Sequence, residues 1–286
     1  MFHRYTAHFR VRTHDIDSWS GISAQRLAAY LEQSAWEASD DAGFGDKWYR
    51  ELNAAWVIHR LTLARLGPIR YQDDLSVDTW ISSMGRVRSS RDYEMRGPGG
   101  TPVAAGRADW VFVDRVTGRP KGIDRRIVDT FETGAQAALL VGPPLAEAPP
   151  SPGRVFVANQ RAYRYETDSM GHINNTIYLA WLDEALAEAL ATAGLPLAPP
   201  AGTGLRLEGT WYVVDYLRSA LAGDHLEVQS HLTGIGAGGT LLEWTQEITR
   251  GPEAEVLVRC VSRQQICGLD GRDPATVVQA LLAPAP

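Results

Sequence analysis

The chain lacks several features that define common protein classes. Its 286 residues include two cysteines, Cys260 and Cys267, too few for a disulfide framework or a four-cysteine zinc site. No apolar run approaches the roughly 18 residues of a membrane-spanning helix, and the N-terminus lacks the apolar core of a signal peptide. The seven histidines form no His-Glu-x-x-His motif, and no glycine-rich loop opens a helix. We therefore expect a cytoplasmic protein with neither a metal site nor a bound cofactor.

The overall charge is mildly acidic. Lys and Arg number 28 against 34 Asp and Glu, a formal net charge of −6, which argues against a general nucleic-acid binder. The segment from Arg86 to Arg126 differs, because it holds ten basic and five acidic residues. This local excess predicts a surface that attracts an acidic partner. Arginines scattered over solvated strand surfaces would give the same count, so that alternative stays open.

A weak internal repeat organises the chain. The segment Gln72–Val77 recurs as Gly223–Val228, an offset of 151 residues, and Tyr93 falls on Trp244 at the same offset. Identity between the copies is low, but the order of the elements is kept. Two copies of one unit therefore explain the length better than a single large domain.

Each copy is predicted to contain a first strand, a long helix and several long strands. Ser23 can cap a helix that ends near Gly43, and Asn174 or Asn175 can cap a second helix that ends near Gly194. Segments rich in β-branched and aromatic residues, joined by Gly/Pro turns, predict antiparallel strands. These segments are 55–66, 75–83, 89–96 and 103–113 in the first copy, and 209–217, 225–233, 241–249 and 255–266 in the second.

Prolines separate the two copies. The runs 142–144 and 149–153 consist of Pro with Gly and Ser, a composition typical of an extended linker. The predicted organisation is a first domain over 1–130, a linker over 131–155, a second domain over 156–272 and a tail over 273–286.

The candidate site lies where the second helix begins. Asp168, Gly171 and His172 place a carboxylate, a residue that permits close backbone approach and an imidazole beside the unpaired N–H groups of a helix start. Such N–H groups can stabilise an oxyanion, and the carboxylate can serve as a base or a nucleophile. A purely structural interpretation, a turn followed by a helix cap, is also open.

The complete pattern resembles a known family. Residues 165–185 contain Tyr-x-x-Asp-x-x-Gly-His-Ile-Asn-Asn followed by Tyr-Leu-x-Trp-Leu-Asp-Glu-Ala, which is similar to the signature of hotdog-fold thioesterases. The two-copy layout, with first-copy blocks such as Arg91-Asp92-Tyr93, resembles the acyl-ACP thioesterases. The resemblance implies an α+β fold of two tandem hotdog domains, each a long central helix wrapped by an antiparallel β-sheet.

The resemblance also implies a reaction and a partner. It implies hydrolysis of fatty acyl-acyl carrier protein, which releases free fatty acid and ends chain elongation. Acyl carrier protein would be the partner and would bring the phosphopantetheine arm with the substrate, with no nucleic-acid or membrane partner. The first copy lacks the His-x-Asn-Asn sequence and would house much of the acyl chain. An acyl-CoA thioesterase and a non-catalytic acyl-binding protein are the alternatives, and homodimerisation is left open.

Site residues carry over only where the sequence matches. The family's site resembles Asp-x-Asn-x-His at the second helix, plus a Glu on the next strand. Asp168 and His172 match, whereas Met170 stands at the expected Asn, and Asp215 is the nearest counterpart of the Glu. The resemblance therefore implies three catalytic residues and three substrate contacts: Asp168, His172 and Asp215, with Gly171, Asn174 and Asn175.

Two chemical routes follow from this assignment. In the first, Asp168 and Asp215 deprotonate a water while backbone N–H groups near Gly171 and His172 hold the thioester carbonyl. In the second, Asp168 attacks the carbonyl directly and forms an anhydride. A cysteine nucleophile is disfavoured, because Ala220 stands at the position that the family resemblance would assign to it.

The two cysteines are expected to be structural. Cys260 and Cys267 are separated by an odd number of residues in one predicted strand, which places them on opposite faces. Free cysteines are commonly buried, so both are predicted to be core residues.

Overall fold

The computed structural model describes residues 4–17, 21–135, 140, 142, 154–195, 205–268 and 271–283. By its internal contacts the chain divides into a first unit, Met1–Ile22 with Arg26–Val141, and a second unit, Ser23–Gln25 with Gly142–Pro286. Most of the predicted linker, including residues 143–153, lies outside the described residues. The predicted domain boundaries therefore stay predictions.

The first unit is an antiparallel sheet with one long helix and two short ones among its described residues. Its strands pair in the order β1-β3-β4-β5-β2. The elements in chain order are β1 (Arg4–Arg10), α1 (Ala24–Asp41), α2 (Asp46–Glu51), β2 (Ala54–Arg65), β3 (Asp74–Met84), β4 (Arg88–Arg96), β5 (Pro102–Asp114) and α3 (Arg125–Thr130).

The second unit repeats this topology. Its strands pair antiparallel in the order β6-β8-β9-β10-β7, which matches the first unit position by position. All eight long strands predicted from the sequence are present, with bounds that differ by at most three residues. The elements are β6 (Val155–Arg161), α4 (Asn175–Thr192), β7 (Arg206–Tyr216), β8 (His225–Gly236), β9 (Leu241–Arg250), β10 (Glu255–Cys267) and α5 (Pro274–Leu282).

Individual hydrogen bonds reproduce the repeat. The N–H of Val11 donates to the carbonyl of Asp73 at 3.0 Å, and the N–H of Ala162 donates to the carbonyl of Asp224 at 3.0 Å. Both partners in the second bond lie 151 residues beyond their counterparts. The predicted offset therefore holds for the backbone even where the side chains differ.

The long helix of each unit packs on its own sheet. Helix α4 is apolar on nearly all sides and contacts β6, β7 and β8, and such a helix is stable only when buried. Leu179, Leu182 and Leu190 are fully enclosed. In the first unit, a Cβ at Gly106 on β5 would collide with Leu31 of α1, so glycine there permits the close approach of the helix.

The sheet of the first unit contains a buried ion pair. Asp92 on β4 is fully buried, and Arg107 on β5 donates to its two carboxylate oxygens at 2.6 and 2.7 Å. Asp92 alternates with Tyr93, whose ring lies in the core beneath α1, so the pair belongs to the other face of the sheet.

The sequence analysis missed the three short helices, and one of them corrects the predicted tail. Helix α5 lies within the segment 273–286 that was expected to be a tail. Its Val277 and Leu281 are fully buried in a cluster with Leu186 and Leu190 of α4, which anchors the helix. None of the described helices is long and apolar enough to cross a bilayer.

Candidate active site

A tight loop precedes α4 and holds the two residues of greatest chemical interest. This Asp168 loop, Thr167–Ile173, is closed by a β-bridge between its end residues. The Asp168 N–H donates to the His172 carbonyl at 2.8 Å, and the Gly171 N–H donates to the Asp168 carbonyl at 3.1 Å. Gly171 has φ +80°, a conformation that glycine adopts without strain. The loop therefore holds the backbone of His172 against Asp168, and the predicted catalytic roles of the two residues stay predictions.

The loop itself orients the Asp168 carboxylate. Its Oδ1 accepts hydrogen bonds from the Met170 N–H at 2.8 Å and the His172 N–H at 3.3 Å. Its Oδ2 has no partner within the part of the chain that the structure describes. One oxygen thus fixes the carboxylate to the backbone, and the other is available to a ligand.

Two further polar residues at this helix start, His172 and Asn175, have open groups. The His172 imidazole, and both the N–H and the carboxamide of Asn175, form no hydrogen bond with any described residue. Asn175 is the first residue of α4, where backbone N–H groups lack helical partners and the helix dipole is positive. A carboxylate oxygen, an imidazole and an N–H donor are therefore all available at one helix start.

This geometry corrects the predicted oxyanion site. The N–H groups of Gly171 and His172, expected to hold the thioester carbonyl, both donate to Asp168. They are occupied because the tight loop needs those bonds to close. Asn174 also has a structural role, since its Oδ1 accepts from the N–H and the hydroxyl of Thr176 at 2.9 and 2.6 Å. It caps α4, which leaves the Asn175 N–H as the better donor to a ligand.

Asp215 lies on the opposite face of its strand from the helix. Tyr212 and Tyr216, on the same strand β7, reach α4 through their hydroxyl groups, which donate to Asp183 Oδ1 at 2.8 Å and to the Asn175 carbonyl at 3.0 Å. Side chains alternate along a strand, so Asp215 projects to the other face, beside Arg259 on β10. Its role as a second catalytic carboxylate remains a prediction that this placement does not favour.

A support for the loop was missed from the sequence. Glu166 accepts from the Trp181 indole N–H at 3.3 Å and from the Tyr163 N–H at 2.7 Å, and its carbonyl accepts the backbone N–H of the α4 cap. The signal was present in the repeat. At the offset of 151, Glu166 aligns with Asp15 and Trp181 aligns with Tyr30, whose hydroxyl donates to Asp15 at 2.8 Å.

Tyr178 anchors the other side of the loop. Its hydroxyl accepts the Ala220 N–H at 2.7 Å, and the Ala220 carbonyl accepts the Ile173 N–H at 3.0 Å. Burial raises the pKa of Tyr178 to about 12, and the negative charge of Asp168 acts in the same direction. Tyr178 therefore stays a neutral hydrogen-bonding group. Ala220, at the position of the hypothetical cysteine nucleophile, acts through its backbone.

The first unit forms two of the same bonds without the imidazole. In the segment Ile16–Ile22, called the Asp17 loop and described at residues 16–17 and 21–22, the Asp17 N–H donates to the Gly21 carbonyl at 2.7 Å, and Asp17 Oδ1 accepts the Gly21 N–H at 3.0 Å. Gly21 stands where the second unit has His172. These two bonds are thus duplicated, but the histidine is present in one copy.

Neither cysteine is placed as a nucleophile. Cys260 is fully buried, and burial raises the pKa of its thiol, with the charges of Asp183 and Asp215 acting in the same direction. Cys267 is half-buried rather than a full core residue. Within the described segments, no three His, Cys, Asp or Glu side chains are grouped as a metal site would require.

Two family models match the two halves of the chain. Residues 3–131 match the acyl-ACP thioesterase N-terminal domain, and residues 164–284 match the thioesterase-like superfamily. The chain is 20% identical over 205 residues to oleoyl-acyl carrier protein thioesterase 2 of Arabidopsis thaliana, an alignment that covers 65% of this chain and 55% of that protein. It is 23% identical over 184 residues to an uncharacterized Mycobacterium tuberculosis protein, which covers 64% of this chain and 70% of the relative.

Solved structures share the fold over nearly the whole chain. An acyl-ACP thioesterase from Bacteroides thetaiotaomicron superposes with a TM-score of 0.70 at 18% identity, which covers 92% of this chain and 98% of the other. The 12:0-ACP thioesterase from Umbellularia californica gives a TM-score of 0.73 at 15% identity, over 92% and 94% of the two chains. These similarities confirm the predicted pair of hotdog domains.

Proposed function

The chain belongs to the acyl-ACP thioesterase family, and on that basis we propose that it hydrolyses the thioester of fatty acyl-acyl carrier protein and releases the free fatty acid. One observation supports this assignment most strongly. Asp168 Oδ2, the His172 imidazole and the Asn175 N–H have no partner in the described part of the chain, although each lies in a rigidly bonded loop or helix start. These are the groups that thioester hydrolysis needs.

The proposed reaction uses each group once. The Asn175 N–H donates to the thioester carbonyl oxygen, where negative charge develops. Asp168 Oδ2 takes a proton from a water molecule whose oxygen attacks the carbonyl carbon. The carbon–sulfur bond then breaks, and the thiolate of the pantetheine arm takes that proton through His172, which can carry a proton near neutral pH. The products are the fatty acid and the free thiol, and no resident cofactor takes part.

Direct attack by Asp168 Oδ2 is the rival route, because the same open oxygen could form an anhydride with the acyl group. A single turnover in ¹⁸O-labelled water separates the routes. Attack by water places the label in the released fatty acid and none in Asp168. Label found in the Asp168 carboxylate would establish the anhydride.

Acyl carrier protein would dock at the basic end of the first unit. Arg86, Arg88 and Arg119 are exposed, and none forms an ion pair with any described residue. Backbone hydrogen bonds place them at the same end of the sheet, since the Ile123 N–H donates to the Arg86 carbonyl and the Asp114 N–H to the Arg119 carbonyl. We call these three side chains the basic end. An acidic carrier would be attracted to it by long-range electrostatics.

Two other arginines of the basic segment are already paired. Arg125 forms an exposed i,i+4 pair with Asp129 at 3.4 Å, and Arg126 pairs with Asp124 at 2.9 Å. Paired arginines offer less net charge to a partner than Arg86, Arg88 and Arg119 do. The cytoplasmic location expected from the sequence stays a prediction.

The function is tested with Asp168→Asn and a matched control, Asp17→Asn in the Asp17 loop. Asparagine can keep the Oδ1 hydrogen bonds in both loops but cannot accept a proton. We expect Asp168→Asn to lower kcat on acyl-acyl carrier protein roughly 100-fold or more, with unchanged thermal stability. Asp17→Asn should leave kcat unchanged. Equal activity of both variants and the wild type would refute the assignment of Asp168.

A further inference from the structure

A buried positive charge in the first unit has no negative partner. Arg91 lies on β4 and is 6% exposed, on the same face as the fully buried Tyr93 and Met95. An arginine guanidinium stays charged in proteins, so burial cannot simply neutralise it. Burial does lower the pKa of Arg91, which shows that its surroundings disfavour the charge.

The neighbours of Arg91 are neutral. Its Nη1 donates to the Thr79 hydroxyl at 3.3 Å, and its guanidinium lies 5.7 Å from the centre of the Phe131 ring. No carboxylate among the described residues forms an ion pair with it. Arg107, on the next strand, shows the usual arrangement, because it is paired in a bidentate manner with Asp92.

The guanidinium also keeps unused donors. Its Nη1 donates to Thr79, whereas its Nε and Nη2 have no hydrogen-bond partner in the described chain. Arg91 therefore has two adjacent N–H groups whose geometry matches the two oxygens of a carboxylate.

We propose that Arg91 binds the carboxylate of a free fatty acid inside the first unit. A buried charge without a partner destabilises the folded protein, and a carboxylate that accepts from Nε and Nη2 offsets this cost. The site differs from the Asp168 loop and does not depend on the hydrolysis proposed above. If that hydrolysis takes place, its product is a ligand of the class that the site would take.

The surroundings favour a carboxylate on a carbon chain over a small anion. Arg91 lies beside Ile81 in the strand register and faces Phe131, and both belong to a buried apolar cluster. Apolar neighbours favour a hydrocarbon tail, whereas an inorganic anion would lose its hydration without that gain. The other members of the cluster are Phe44, Tyr49, Ala54, Phe112 and Ile127.

Binding of palmitate and of hexadecanol tests the proposal directly. The two probes share a carbon chain and differ in the charged group. We expect the wild-type protein to bind palmitate at least about tenfold more tightly than hexadecanol, because a charge-assisted hydrogen bond contributes that much to affinity. We expect Arg91→Met to bind both equally and Arg91→Lys to keep part of the preference. Arg70→Met, a control at an exposed arginine of the first unit outside the basic end, should behave as the wild type.

Thermal unfolding without ligand separates binding from a structural role. If the buried charge of Arg91 is kept for a ligand, its removal costs no stability. The unfolding temperature of Arg91→Met should then equal or exceed that of the wild type. A lower unfolding temperature for Arg91→Met would overturn the proposal, as would equal binding of the two probes by the wild type. Neither measurement uses turnover, so failure of the thioesterase assignment would not affect them.

Discussion

Asp17 and Asp168 hold the same hydrogen bonds in the two halves of the chain. Each donates its backbone N–H to the carbonyl four residues ahead, at 2.7 and 2.8 Å, and each accepts the N–H of that same residue through Oδ1, at 3.0 and 3.3 Å. The residue four positions ahead is Gly21 in one case and His172 in the other. Comparing variants of Asp17 and Asp168 can therefore distinguish the contribution of these backbone bonds to activity from that of the His172 imidazole.

Gly171→Ala should damage activity more than stability. Gly171 has φ +80° inside the Asp168 loop, and Gly251 has φ +69° in an exposed turn with open space around it. Alanine at either position costs about 1–2 kcal/mol of unfolding free energy, because a Cβ disfavours positive φ. Only Gly171→Ala should also lower kcat, by at least about tenfold, because it distorts the loop that orients the Asp168 carboxylate. Urea unfolding and steady-state kinetics of both variants check this, and equal kcat values would contradict it.

Neutralising the basic end should weaken use of the carrier-bound substrate. Arg86→Gln/Arg119→Gln is expected to raise KM for acyl-acyl carrier protein several-fold at low salt, with kcat nearly unchanged, because rim charges act mainly on association. The effect should fade as salt screens the charges. KM for acyl-CoA of the same chain length should change little.

The control for this variant removes the same charge elsewhere. Arg10→Gln/Arg70→Gln changes two exposed arginines of the first unit that lie at the other end of its sheet, beside the start of β3. A similar rise of KM in this control would mean that total charge, rather than the basic end, attracts the carrier.

Asp15→Asn should reveal a pH-dependent contribution to stability. Burial alone would raise the pKa of Asp15, but hydrogen bonds from the Arg12 side chain and backbone and from the Tyr30 hydroxyl outweigh it and lower the pKa to about 2. Because the folded-state pKa is lowered, the ionised Asp15 stabilises the protein fully above the unfolded-state pKa of 3.8. This stabilisation is lost as the pH falls through the folded-state pKa of about 2. At pH 7 the substitution should lower the free energy of unfolding by about 2 kcal/mol.

The pH series supplies the decisive comparison. The difference in free energy of unfolding between the wild type and Asp15→Asn should fall by pH 3 to about half of its value at pH 7. Asp129→Asn, which breaks an exposed pair, should change stability little at any pH. A difference for Asp15→Asn that stays constant from pH 7 to pH 3 would show that the Asp15 charge is not its source.

Breaking the buried pair in the first unit should be costly. Arg107→Met leaves the fully buried Asp92 carboxylate without its bidentate partner, and removal of one member of such a pair typically costs about 3–5 kcal/mol. Arg107→Met/Asp92→Leu should recover much of that loss, since neither charge of the pair remains buried. Chemical denaturation gives the free energy of unfolding of the single and the double variant. A double variant less stable than Arg107→Met would contradict the prediction.

Much of the fold could be predicted because it depends on local patterns. Alternating β-branched and aromatic residues locate eight strands, and Asn174 and Gly194 mark the ends of α4. The short helices α2, α3 and α5 escaped prediction, since six to nine residues hold too little periodicity. Helix α5 is stabilised by Val277 and Leu281 in the core, a tertiary effect that composition near the C-terminus does not show.

The candidate site was predictable in part. The motif located Asp168 and His172, and the loop brings them together. Which N–H groups stay open depends on the bonds that close the loop, and these follow from its three-dimensional path. The spacing therefore suggested the amides of Gly171 and His172, whereas the open one belongs to Asn175. Asp215 was chosen by resemblance alone, and strand alternation turns it away from α4.

The duplicated loop carries information about descent. When a gene doubles, each copy can lose a function by altering its backbone or by exchanging individual amino acids. The matching bonds at Asp17 and Asp168 indicate an exchange of individual amino acids, because both bonds are kept where one copy has Gly21 and the other has His172. Divergence after duplication thus left the acid and its backbone partner in both halves of this chain and the imidazole in one.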